Sequence, residues 1–322
     1  MSPHSRRGVA TGSGACVERR DMLLPVTRRT ALRQIATILA LPAIATACAA
    51  SPARPGPPAG GGAGPGEPVR LDYGTHPSQF GELTLPAGGG PVRGVVVVVH
   101  GGFWRQSYGL ELGRPLAADL AARGLAVWNI EYRRVGGDGG WTATFDDVAA
   151  AVDLLAGEGQ RVAGGRLDLA HVVAVGHSAG GHLAAWLAAR PGLPADAPGA
   201  GPAVTLTGAV SQAGVLDLVD AAERRVGGAA VPDLLGGRPD AVPDRYELAS
   251  PVARLPFAAP VVCVHGTDDR NVPIRQSERF VEAAGPTAEL VTLPGVEHFA
   301  IIDPDTDAWR ACRDAADRLL GG

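Results

Sequence analysis

Short, wholly apolar runs alternate with amphipathic segments along most of this chain. Residues 95–99 are five consecutive valines, the pattern of a strand buried on both faces of a parallel sheet. Before them, residues 69–73 and 80–85 alternate as strands expected to pair antiparallel, and Gly88, Gly89, Gly90 and Pro91 turn the chain. Further strands are expected at 125–132, 172–175, 207–212, 260–264 and 289–293. Helices are expected at 115–123, closed by Gly124, and at 145–156, where Asp146 and Asp147 suit the positive helix end. Others are expected at 180–190, 274–284 and 307–320, the last of them amphipathic. Strands alternating with helices predict a mostly parallel α/β sheet covered on both faces. Residues 191–256, rich in Pro, Gly and Ala, are expected to be mainly irregular and long enough for a small cap.

The first 68 residues follow different rules. Residues 1–26 show no periodicity, and Met22 offers a second start. Thr27-Arg28-Arg29-Thr30-Ala31-Leu32-Arg33 is a twin-arginine pattern, followed by an apolar stretch at 35–47. That stretch is short of the ~20 residues a membrane span needs and suits a signal-peptide core. Ala45-Thr46-Ala47-Cys48 is similar to a lipoprotein processing box with Cys48 as the lipidated residue; ordinary cleavage after Ala-x-Ala also fits. Residues 49–68 are Pro, Gly, Ala and Ser with almost no charge, a flexible tether. The expected organisation is an export signal over 1–48, a linker over 49–68 and a catalytic domain over 69–322. Such a protein would be exported to the cell envelope, touching membrane only through a lipid anchor.

Composition narrows the function. The chain has 322 residues, 46% of them hydrophobic, enough for one large core. Net charge is −4, and all 29 basic residues are Arg. Seven of these arginines lie in residues 1–47 against only Glu18 and Asp21, which leaves the body acidic. An acidic body has no basic face for nucleic acid. Cys263 falls in an apolar strand and Cys312 on the last helix, where buried thiols are expected rather than a bridge. No metal-ligand spacing is present, and no cofactor is expected.

The strand at 172–175 runs straight into Gly176-His177-Ser178-Ala179-Gly180 and then into a helix. Strand, Gly-x-Ser-x-Gly, helix is the context of a nucleophile elbow, which lifts the serine hydroxyl clear of the sheet. A serine hydroxyl needs an adjacent base. Of the eight histidines, His298 follows the last strand in Leu293-Pro294-Gly295-Val296-Glu297-His298, at the carboxyl edge where open α/β sheets bind ligands. His265 and His182 are expected to be structural. The base needs a carboxylate to orient it, and Asp268 and Asp269 compete in the loop after 260–264. Donors for a developing oxyanion are expected from the Ala179 amide and from Gly102 or Phe103 in His100-Gly101-Gly102-Phe103-Trp104. Phe103 and Trp104 are expected to shape an acyl pocket. Trp141 is weighed equally between pocket wall and core cover; Asp217 could touch substrate, but a helix-capping role is expected ahead of that.

Residues 69–320 resemble an α/β-hydrolase of the esterase/lipase and arylformamidase-like branch. His100-Gly101-Gly102-Phe103-Trp104 is similar to the His-Gly-Gly-x-Trp motif of kynurenine formamidases. Glu131-Tyr132-Arg133-Arg134, residues 176–182 and Glu297-His298-Phe299-Ala300-Ile301-Ile302-Asp303 also resemble that branch. The family places its acid three residues after the Gly and four before the Pro of the loop, which selects Asp269. The order Ser178, Asp269, His298 is then that of the α/β-hydrolases. The resemblance implies hydrolysis of a small ester, or second of an N-formyl amide, through an acyl-enzyme on a small-molecule substrate. An acyltransferase or a catalytically silent binding member of the fold are more distant expectations.

Overall fold

A computed structural model of the chain describes residues 65–321. The expected export signal, Cys48 and most of the linker lie outside them. The described residues build one sheet from β1 (Val69–Asp72), β2 (Phe80–Thr84), β3 (Val95–Val99), β4 (Ala126–Ile130), β5 (Val172–His177), β6 (Gly208–Gln212), β7 (Val261–Gly266) and β8 (Ala288–Leu293). Strand order is β1-β2-β4-β3-β5-β6-β7-β8. β2 pairs antiparallel with both β1 and β4, and every other pairing is parallel. The helices are α1 (Arg114–Ala122), α2 (Ala143–Asp153), α3 (Glu158–Val162), α4 (Ala179–Ala189), α5 (Leu218–Glu223), α6 (Ala230–Leu235), α7 (Pro243–Ala249), α8 (Arg275–Ala284) and α9 (Asp307–Leu319).

The five valines of β3 occupy the centre of this sheet and are all buried. Alternate side chains point to opposite faces, so Val95, Val97 and Val99 join one core and Val96 and Val98 the other. Phe145 and Trp186 fill the first core from α2 and α4; Leu120 and Trp309 fill the second from α1 and α9. Every residue of α4 is buried, as befits a helix lying under both the sheet and the cap. Cys263 and Cys312 are free buried thiols, both pushed up to about 12 by burial.

One expectation is corrected here. Much of the segment read as irregular is helical: α5, α6 and α7 form within it. They have 6, 6 and 7 residues, too few to display a repeating apolar stripe. Gly236 in the left-handed conformation ends α6, and Pro243 opens α7. The cap is tied to the body by His182 and Trp186 of α4, whose Nε2 and Nε1 atoms lie 2.9 and 3.0 Å from the carbonyls of Ala249 and Leu248.

Burial also sets a pH response. Burial pushes the His182 imidazole down to about 4, against the opposing pull of its bond to Ala249. The unfolded chain takes up this proton as pH falls through about 6.5, and the folded chain does so only near 4. The stabilisation is therefore complete above the higher value and is lost between the two. His182 alone should remove about 2 kcal/mol of stability between pH 7 and pH 5. Urea unfolding at the two pH values measures this, and His182→Gln should flatten the difference.

Candidate active site

β5 ends at His177, and α4 begins at Ala179, leaving Ser178 alone to make the turn. Its backbone sits at φ 56°, ψ −115°, a region that costs a non-glycine residue about 1–3 kcal/mol. The strain is held by flanking bonds: the Ser178 amide donates to the Gln212 carbonyl at 2.8 Å, and the His182 amide to the Ser178 carbonyl at 3.1 Å. The flanking glycines make the turn sterically possible. A Cβ on Gly176 would stand 2.1 Å from the Gly180 carbonyl oxygen, and one on Gly180 would stand 2.0 Å from that of Val99.

Ser178 and His298, each 2% exposed, line one small, partly open hollow together with Gly102, Phe103, Tyr108, Leu112, His177, Asn271 and Phe299. His298 Nδ1 lies 2.6 Å from Asp269 Oδ2, and the Asp269 side chain is fully buried. With a carboxylate as acceptor, Nδ1 carries the hydrogen, and Nε2 remains as the basic nitrogen. Asp269 Oδ1 accepts the amides of Asn271 and Val272, both at 2.8 Å. Burial works to raise this carboxyl, but bonds to His265, His298 and the Val272 amide outweigh it and hold it far below the usual carboxylate range. Asp268 is exposed; its carboxylate accepts from the Thr267 hydroxyl at 3.3 Å, and its amide donates to the Val296 carbonyl at 3.1 Å.

The loop after β3 presses against the serine: a Cβ on Gly101 would stand 3.1 Å from Ser178 Cβ. Gly102, Phe103 and Trp104 then follow at φ 115°, 52° and 55°. Among the described residues, the Gly102 and Phe103 amides have no acceptor. The loop is braced from β4. Glu131, just past that strand, accepts from His100 Nε2 at 2.9 Å, from the Tyr132 amide at 2.9 Å and from the Leu110 amide at 3.1 Å. Arg134 pairs with the same carboxylate at 2.8 Å, and the Tyr132 hydroxyl donates to the His100 carbonyl at 2.9 Å. Burial would raise the Glu131 carboxyl, yet its bond to His100 and the nearby charges hold it below the usual range.

Three candidate pocket residues stand elsewhere. Trp104 is 0% exposed and meets His182 edge-on in the core, with ring centroids 5.2 Å apart. Its left-handed backbone turns it inward, and Phe103 alone of the pair faces the hollow. Trp141 stacks edge-on against Phe145 and borders a different surface hollow with Pro194, Asp244 and Leu248. Asp217 is the N-cap of α5, accepting from the Asp220 amide at 3.0 Å and pairing with Arg279 at 2.7 Å. Residues that the sequence reading passed over also border the site. Tyr108 and Phe299, 41% and 47% exposed, form an aromatic lip, and Asn271 adds a polar group. Histidine 177 lies beneath His298, with Nε2 2.9 Å from the His298 carbonyl. Burial, then the charge of His298, push His177 down to about 3, so it stays a neutral donor.

A strained serine at a strand-to-helix turn, a carboxylate-bound histidine after the last strand and an open-amide loop after β3, carried on this mostly parallel sheet, are the arrangement of the α/β-hydrolase fold class. The chain belongs to the BD-FAE family, whose model matches residues 82–284. Over 258 residues it is 28% identical to Esterase LipC of Mycobacterium tuberculosis (strain ATCC 25618 / H37Rv), covering 73% of this chain. The chain spans 60% of the length of that curated relative. Among solved structures, esterase B of Lactobacillus rhamnosis superposes with a TM-score of 0.68 at 22% identity over 80% of this chain and 86% of that one. Propionate-bound Est2, an esterase of Thermogutta terrifontis, gives 0.62 at 25% identity over 79% of this chain and 93% of the other. A bifunctional GH43-CE protein of Bacteroides eggerthii gives 0.67 at 22% identity over 79% of this chain and 38% of its own.

Proposed function

We propose that the chain is a serine hydrolase that cleaves small carboxylic esters through an acyl-enzyme. Ser178 Oγ attacks the ester carbonyl while His298 Nε2 takes the hydroxyl proton. Asp269 holds the imidazole in its productive tautomer and stabilises the imidazolium. The amides of Ala179, Gly102 and Phe103 receive the oxyanion of the tetrahedral intermediate. Collapse expels the alcohol, which takes the proton from His298. Water then repeats the sequence on the acyl-enzyme and releases the acid, returning Ser178 to its hydroxyl form.

The observation that carries this reading is the 2.6 Å bond from His298 to Asp269, beside a serine strained at the elbow in the same hollow. The small hollow and the propionate bound to Est2 support short acyl groups. The His-Gly-Gly-Phe-Trp loop supports the second reading, an N-formyl amide such as N-formylkynurenine. Assaying purified protein on p-nitrophenyl acetate and on N-formylkynurenine separates them. The ester is expected to be cleaved with a specificity constant at least about tenfold higher, a difference of ~1.4 kcal/mol in transition-state binding. Efficient deformylation at or above the ester rate would make the chain a formamidase.

A further inference from the structure

His265 is the penultimate residue of β7, four residues before Asp269, and its side chain is wholly buried. Its Nε2 lies 2.9 Å from the Val272 carbonyl and 3.3 Å from Asp269 Oδ2. Its Nδ1 lies 2.8 Å from the Ser277 hydroxyl on α8. One ring therefore spans the end of β7, the acid loop and the first turn of α8. Nε2 faces two acceptors and must carry the hydrogen of a neutral ring; Nδ1 then accepts from Ser277.

We infer that His265 is a positioning residue for Asp269, with its tautomer set by Ser277, an assignment that rests on the proposed roles of Ser178, His298 and Asp269. The carboxylate has two oxygens with unequal support. Oδ1 is fixed by the Asn271 and Val272 amides. Oδ2, the oxygen that meets His298, has His265 as its other neighbour. The same Nε2–H reaches the Val272 carbonyl, on the residue whose amide holds Oδ1. His265 thus sets both the rotation of the carboxylate and the shape of the loop that presents it. Two further groups that can titrate pack here, one from β5 and one from β7 itself. His177 of β5 stays neutral and donates to the His298 carbonyl, and the Cys263 thiol beside Ser277 is held protonated by burial.

The test compares His265→Leu, His265→Gln and Ser277→Ala with Ser178→Ala, using p-nitrophenyl acetate turnover, pH profiles and circular dichroism. His265→Leu is expected to lower kcat roughly 10- to 100-fold with KM within about twofold. The acid limb of its kcat/KM profile moves to lower pH, because an imidazolium with a mis-set carboxylate holds its proton less tightly. His265→Gln restores an N–H donor and recovers activity to within about fivefold of the parent. Ser277→Ala loses about three- to tenfold, with the same displacement of the profile. A folded His265→Leu with unchanged kcat and profile overturns the inference. So do Leu and Gln variants equally impaired with an unmoved profile. Should His265→Leu not fold, an unchanged rate and profile in Ser277→Ala overturn it. Turnover surviving in Ser178→Ala instead overturns the underlying reading, which keeps the two failures apart.

Discussion

Ser178→Ala is expected to lower kcat on p-nitrophenyl acetate by about five orders of magnitude, with no loss of folded protein. The hydroxyl is the only atom removed. The turn is held by backbone bonds from Ser178 to Gln212 and from His182 to Ser178, and neither uses the side chain. Alanine meets the same backbone strain as serine, so the unfolding midpoint should stay within a few degrees. Such a substitution separates nucleophilic catalysis from scaffold. Residual turnover above roughly 1% of the parent would remove Ser178 from the proposed mechanism, because a lost nucleophile leaves only binding and oxyanion stabilisation behind.

The second large effect distinguishes two adjacent aspartates. Asp269→Asn is expected to cost about 10⁴-fold in kcat, and Asp268→Asn less than about threefold. An asparagine at 269 can still accept the Asn271 and Val272 amides through its oxygen, so the loop should survive. Its NH₂ group would then face His298 Nδ1 and favour the tautomer with hydrogen on Nε2, leaving no lone pair for the serine proton. Asp268 has no comparable partner. The aspartate at 269 stays ionised through mild acid, since its folded-state pKa is depressed; the stability it contributes is present above the ordinary carboxylate range and lost only as pH falls below it. Steady-state kinetics of the two variants decide the assignment, and the reverse ranking would move the acid by one residue.

The sheet was legible because its strands are short, apolar and set off by glycine and proline. β3 is a pure valine run, and its boundaries match the expected 95–99. The antiparallel pairing of β1 with β2 followed from their closeness in sequence. The elbow could be read because its two glycines answer to a local clash that any such turn must avoid. What escaped depends on contacts distant in sequence. The helix cap at Asp217 could be read locally, but its pairing with Arg279, 62 residues on, could not. Trp104 looked like a pocket wall until His182 and the left-handed loop placed it inside. His265 reads as an ordinary strand end, since nothing local reveals that Ser277 and Val272 converge on its ring. Glu131 did carry a signal: a carboxylate directly after a central strand, beside two arginines, is rarely idle.

The two kinds of residue around Ser178 sit in very different surroundings. The serine heads a helix buried along its whole length, whereas Tyr108 and Phe299 stand in water on short connecting segments. Substitutions at the lip remove little core contact and should be tolerated; substitutions beneath the serine should not. Under the proposed mechanism, the reacting groups and the groups that would meet the substrate's periphery therefore lie in separate parts of the molecule. On the proposed reading, single replacements at the rim should change which alcohol or acid is accepted while leaving the reacting groups in place.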